Sequence, residues 1–436
     1  MSRGLANDEL LQAFMLEDDS KNSTAISLDN KLTLTSGLHV IDEGDAEEDV
    51  SQYGEDTGML IESIEFEEIK KPKDGGSVFE SSLLMANSII GAGIIGLPFS
   101  FREAGIWTGL ILLVGLTLVV DWTIRLLVFN SKLSGRNSYQ DMMYHCFGKS
   151  GLIAISVFQF AFAFGGDTIP HVISSLFPHI VNIPILDLFV QPSGLALISM
   201  VIIVLCVVVE GPLVKPELRG SENGKWDFAH PQLFQSIGVI SFAFVCHHNS
   251  LLIFDSLKKP TLNRFATVTH WSTGVSMLAC ILMALSGYLV FTDKTQGNIL
   301  NNFPDNDFII NIARFCFGFN MFTTLPLEAF VCREVIEIYF FNNKSFSNTR
   351  HRLITTLLVS GAMVISLLTE DLGFVLELTG GFSATALAYI LPPACFLQLT
   401  SGKWWTRKKL PAVLCVAFGV CVMFLSTFLS IAKAIK

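Results

Sequence analysis

Asn87-Ser88-Ile89-Ile90-Gly91-Ala92-Gly93-Ile94-Ile95-Gly96-Leu97-Pro98 runs through the middle of the first long apolar segment, near 79 to 104. Three glycines and a proline weaken a helix there, although the flanks are those of a membrane span. Two accounts are open. Small residues let helices pack closely inside a bilayer. Alternatively the helix is discontinuous and its freed N–H and C=O groups bind a small ion or zwitterion, which a membrane tolerates only where the backbone lines a cavity.

The surrounding chain makes the membrane setting plain. Of 436 residues, 51% are hydrophobic and 16% charged, against about 25% charged in a soluble protein. A helix needs about 20 mostly apolar residues to cross the hydrocarbon. Besides 79 to 104, such segments fall near 106 to 129, 151 to 170, 193 to 209, 232 to 255, 270 to 292, 308 to 332, 351 to 369, 372 to 399 and 410 to 432. The expected fold is an all-α polytopic membrane protein. The net charge of −10 sits in a tail, since residues 1 to 74 hold 19 acids and 6 bases. Residues 1–76 read as a disordered acidic cytosolic tail, too poor in apolar surface to fold alone, and 77–436 as the transmembrane domain. The first 20 residues carry no cleavable signal, so the segment near 79 is expected to act as an uncleaved anchor. Acidic tails repel phosphate, which excludes nucleic acid as a partner and leaves a cytosolic protein as the tail's expected one.

Lys and Arg mark cytosolic loops. Four loops are basic, around Lys132 to Lys149, Lys258 to Arg264, Lys344 to Arg352 and Lys403 to Lys409. The turns at Arg102-Glu103, 177 to 191, 293 to 307 and Glu370-Asp371 are poor in base and should face the other side. An even number of crossings should separate the first two basic loops, yet three apolar segments lie between them. Either the segment after Gly151 continues through Asp167 to about Leu176, or it stops short, or Val172 to Val190 makes an extra crossing; all three stay open.

The second informative segment reads Ser241-Phe242-Ala243-Phe244-Val245-Cys246-His247-His248-Asn249. Histidine titrates near neutrality, and ionisable groups inside membranes are functional candidates. A structural histidine bonded within the bundle is the alternative. Asp121 and Arg125 share a helix face near the cytosolic end of the second segment, the spacing of an i,i+4 ion pair. Glu328 is expected to snorkel or to pair with Arg333, and Glu377 to lie at an interface. Eight of nine cysteines sit in or beside apolar segments as packed thiols. No zinc spacing, Walker loop or nucleophile elbow occurs, so neither an enzyme nor a cofactor is expected.

At NSIIGAGIIGLPFSFREAG and SFAFVCHHN the chain resembles the amino acid/auxin permease family, with vacuolar amino acid transporters and sodium-coupled neutral amino acid transporters among its members. Further likeness lies in GDTIPHV from Gly166, TTLPLEAFVCRE from Thr323 and GGFSATALAYILPP from Gly380. The resemblance implies eleven spans, where about ten are apparent here, arranged as a leucine-transporter-like inverted-repeat bundle. It implies substrate contacts at Asn87, Ser88, Gly91, Ala92, Gly93, Phe244 and His247. Asn87, Thr323, Thr324, Asp167 and His248 are the implied ion-coupling residues, with a proton, or sodium, as the coupling ion. Family members have a longer third span and a fourth that this chain lacks, so a shortened product is expected. The implied function is secondary transport of amino acids across a vacuolar or other endomembrane. The alternative is a non-transporting sensor or scaffold, or an inactive short isoform.

Overall fold

The computed structural model describes residues 75–167, 193–341, 344, 347–368, 371–403 and 405–435. The acidic tail therefore lies outside the described residues. Over its described residues each of the ten apolar segments is mainly helical, and among the described residues seven helices are long and apolar enough to cross a membrane, or eight when one bent pair is counted.

The chain opens with α1 (Val78–Ile89), entered through a capping box in which the Ser77 side chain accepts from Glu80 N and the Glu80 carboxylate accepts from Ser77 N. A 3₁₀ turn (Ala92–Gly96) and α2 (Leu97–Ala104) complete this first, broken helix, bent by 48°. Gly105 turns the chain at φ +85°, where a Cβ would strike the Asp227 and Phe228 carbonyls. Then come α3 (Ile106–Ser134), α4 (Tyr139–Asp167) with a non-helical kink at Gly148, and α5 (Ser193–Glu210). The second broken helix is α6 (Leu233–Phe244) with α7 (His247–Ser256), separated by extended Val245 and by Cys246. After it follow α8 (Leu262–Phe291), α9 (Phe308–Phe341) and α10 (Asn348–Leu368). A third interrupted span joins α11 (Leu372–Thr379) to α12 (Leu391–Leu399) through π-helical turns, and α13 (Leu410–Ile435) ends the chain.

Two of the basic loops, around Lys132 and Lys258, and two of the base-poor turns, at Arg102-Glu103 and 293 to 307, lie at opposite ends of the bundle. At one end Lys132 stacks 4.7 Å over the Phe254 ring, Gly76 N donates to Ser256 O and Lys258 N to Gly76 O, each at 2.9 Å. At the other, Arg102 donates to the Thr295 carbonyl at 2.6 Å, His230 Nδ1 donates to the Arg102 carbonyl, and Ser221 N donates to Asp293. We call these the basic end and the far end. Gly211 lies against Val290, so α5 ends at the far end and begins, like α4, at the basic one. The stretch on which the parity alternatives fall, 168–192, lies outside the described residues.

Four expectations change. Glu377 is fully buried, its Oε1 3.0 Å from Lys433 Nζ and its Oε2 accepting from Ser430 at 3.1 Å. A cation one helix away makes burial tolerable, and it is remote in sequence. Arg333 turns to His351 and Thr355, while Glu328 Oε2 has no hydrogen-bond partner among the described residues. Asp121 sits near mid-span, because α3 runs on to Ser134. Cys421 is exposed on α13, whereas the other eight cysteines are buried.

Candidate substrate site at two broken helices

Both breaks meet inside the bundle. A Cβ on Gly93 would lie 2.5 Å from Ala243 Cα and 2.7 Å from Ala243 Cβ, so glycine is what lets the 3₁₀ turn of the first broken helix touch the backbone of α6. One turn below, Asn249 Nδ2 donates to Ser88 Oγ at 3.0 Å, binding α7 to α1. The third interrupted span joins them: Gly380 packs on the Gly238 carbonyl, and Ser241 Oγ donates to Tyr389 Oη at 3.3 Å.

A break leaves backbone groups without intrahelical partners, and the first N–H groups of a helix carry partial positive charge. Neither the turn starting at Ala92 nor α7 starting at His247 has a side-chain cap. The carbonyl ends of α1 and α6 point into the same break region. Uncapped N–H groups suit a carboxylate and free carbonyls suit an ammonium, the two ends of a zwitterion. Asn87 Oδ1 and His248 Nδ1 are also buried without hydrogen-bond partners among the described residues.

The residues singled out in the sequence divide into three groups. Asn87, Ser88, Gly91, Phe244 and His248 gather at the two breaks, as does the backbone of Ala92. Gly93 and His247 are there too, but already engaged. His247 is fully buried, with Nε2 2.9 Å from Thr123 Oγ1 on α3 and Nδ1 without a hydrogen-bond partner among the described residues. His248 instead packs on Phe162 of α4, ring centroids 5.4 Å apart. Among the described residues Thr324 bonds within α9, to Asn320 O and Met321 O, and that helix packs on α4, α5 and α10. The side chains of Asp167 and Thr323 lie outside the described residues.

Sequence reasoning missed Thr123, Tyr389 and the Ser88–Asn249 pair. Asn249 had a signal, since it ends the polar cluster. Thr123 had none, because a lone threonine in an apolar helix ordinarily satisfies its hydroxyl on its own backbone.

Residues 74–182 and 171–432 match the family described as transmembrane amino acid transporter protein. The Saccharomyces cerevisiae vacuolar amino acid transporter 2 is 40% identical over 396 residues, covering 81% of this chain and 82% of the yeast protein. The Danio rerio and Homo sapiens proteins named sodium-coupled neutral amino acid transporter 11 are 39% and 33% identical, covering 80% and 74% of this chain and 85% and 87% of their own lengths. With most of its described length matched and two broken helices meeting in a helical membrane bundle, the chain belongs to the transmembrane amino acid transporter family.

Proposed function

We propose that this protein carries amino acids across a vacuolar or other endomembrane, driven by a proton gradient. The carrying observation is the meeting of two uncapped helix starts and two helix ends at the Gly93–Ala243 contact. Backbone dipoles there match the carboxylate and amine that every amino acid shares. The side chains nearby, Asn87, Ser88, Phe244 and His248, are uncharged or titratable, so the reading favours a neutral substrate. The names of the yeast, fish and human relatives support amino acids as cargo, and the yeast name supports the vacuole. Uptake of labelled amino acids into proteoliposomes tests the reading. Asn87→Ala should lower uptake at least about tenfold if Asn87 contacts substrate, the scale of one lost hydrogen bond to a charged group. Unchanged uptake overturns the site.

One observation favours a second reading, an inactive short isoform. The family match falls in two pieces that overlap at 171–182. The yeast alignment is 396 positions long yet takes up only 81% of this 436-residue chain, so the relative carries sequence for which this chain has no counterpart. Binding without flux, restored by a transcript encoding the additional residues, would support this reading.

A further inference from the structure

Asp121 stands near the middle of α3, sixteen residues into a helix of 29, about 22 Å along it at 1.5 Å per residue. It is almost fully buried and every oxygen is used. Oδ1 accepts from His270 Nδ1 at 2.9 Å and from Thr273 Oγ1 at 3.0 Å, both on α8, and Oδ2 accepts from Arg125 Nε at 3.1 Å. An ion pair between Asp121 and Arg125 alone would be satisfied within one helix. The third member comes from another helix, and its side chain is 54% exposed.

The hydrogen bond fixes the histidine's protons. Because Nδ1–H donates to the carboxylate, the neutral ring presents the Nε2 lone pair away from Asp121. A proton taken on Nε2 adds one positive charge to the cluster, and its release removes it. Charge at this depth is costly unless water reaches it, so proton occupancy and the position of α8 against α3 depend on each other.

Other charged side chains stand on the elements around α8: α7, whose Phe254 ring packs on Phe265 of α8, carries Asp255. Of the elements packed on α8, α1 offers Glu80 in its first turn at the basic end, where its carboxylate accepts from Ser77 N, two residues before Ser82, whose carbonyl accepts from Ser272 of α8. In α2, Arg102 and Glu103 are engaged at the far end with Thr295 and Lys433. Glu210 ends α5 at the far end, as do Asp293 and Lys294 in the turn after α8. From α3, Asp121 and Arg125 are the groups that face His270.

The same helix reaches the broken-helix site. Thr123, two residues from Asp121 and on another face of α3, bonds His247 at the start of α7. From this geometry we infer that His270 is the proton-carrying group of the transport cycle, held in its tautomer by Asp121 and linked through α3 to the second break. This rests on the proton-driven reading above, to which it adds the residue.

The test uses the full chain in liposomes containing a pH dye, with a labelled mixture of common amino acids. For one proton per substrate, one pH unit should drive accumulation by about tenfold. In His270→Gln accumulation should fall to about onefold with no proton entry, while exchange at equal pH persists. Infrared titration of the purified protein should show an imidazole band that this variant lacks. Gradient-driven accumulation by His270→Gln equal to wild type overturns this inference alone. Loss of exchange along with accumulation overturns it as well, since the cluster would then be a structural tie. Wild-type flux that ignores the gradient overturns the proton-driven reading itself.

Discussion

Gly91 and Gly93 are two residues apart in one motif, yet the structure predicts opposite responses to the same added methyl group. On Gly93 the new Cβ would lie 2.5 Å from Ala243 Cα, 2.7 Å from Ala243 Cβ and 3.0 Å from Ala243 N. Ordinary carbon contacts begin near 3.5 Å, so the helices must separate by about 1 Å. Overpacking of this kind costs about 1–3 kcal/mol, against which alanine recovers about 0.5–1 kcal/mol of glycine's backbone entropy. The net loss lies between about 0 and 2.5 kcal/mol, toward the upper part of that span because two of the clashes are with backbone atoms. Ala243→Gly should not restore it, because two of the three atoms struck are backbone. On Gly91 the nearest atom to a new Cβ is Ser88 O at 4.0 Å, ordinary contact. Thermal unfolding by tryptophan fluorescence, paired with proteoliposome uptake, separates the two. Gly93→Ala should lower both stability and uptake; Gly91→Ala should keep stability and lower only uptake, since its methyl group occupies the proposed substrate space. Equal stability of Gly93→Ala and wild type, or equal losses in both variants, would refute the packing argument.

Glu377→Gln should destabilise by less than the about 3–5 kcal/mol typical of a broken buried pair, because the Lys433 side chain is 40% exposed and can turn to solvent. Adding Lys433→Met should recover part of the loss in the same unfolding assay, and no recovery would deny the coupling. Thr123→Val strips His247 of its hydroxyl partner at nearly constant shape and should cost about 1–3 kcal/mol, read as a lower unfolding midpoint. An unchanged midpoint would mean the bond contributes nothing. Gly75→Val would strike Lys258 N at 2.9 Å and loosen the pairing of Gly76 with Ser256 and Lys258. A cysteine at Ser256 should then react faster with a membrane-impermeant maleimide applied to the basic end, and equal rates would show that the pairing does not close it.

Periodicity and charge carried the helices and their ends. Long apolar runs have one solution in a bilayer, and lysine and arginine sort the loops by side, so α13 could be read within a few residues, while α3 ran on past its apolar stretch to Ser134 and α8 began at Leu262, before its own apolar stretch. The breaks were legible too, as glycines at 91, 93 and 96 in the first helix and as a polar cluster in the second. What a glycine does was not legible. Gly91 and Gly93 look alike in sequence, and only the position of Ala243, 150 residues away, separates an open backbone from a packed one. Glu377 shows the same limit. A carboxylate at a span's start reads as interfacial until Lys433, from the last helix, is found beside it. The cluster around Asp121 needed α8 as well, since the sequence offers an i,i+4 pair and gives no sign of His270.

The breaks also explain how one bundle can tie both of its ends. α1 and α7 are joined at the basic end by Gly76, Ser256 and Lys258, and to each other by Ser88 and Asn249. α2 is tied at the far end to Thr295, and Glu103 there pairs with Lys433 and through it with Glu377. Were the first helix a continuous rod, releasing one end would lever the other. With no α-helical hydrogen bonds carried across Ile90 to Gly91, the two halves answer to separate partners, and either end can loosen while the other holds. On the proposed reading, the weak backbone that offers polar groups to a substrate is also the hinge between the two ends. That is why a methyl group at Gly93, which forces the hinge away from α6, should cost transport as well as stability.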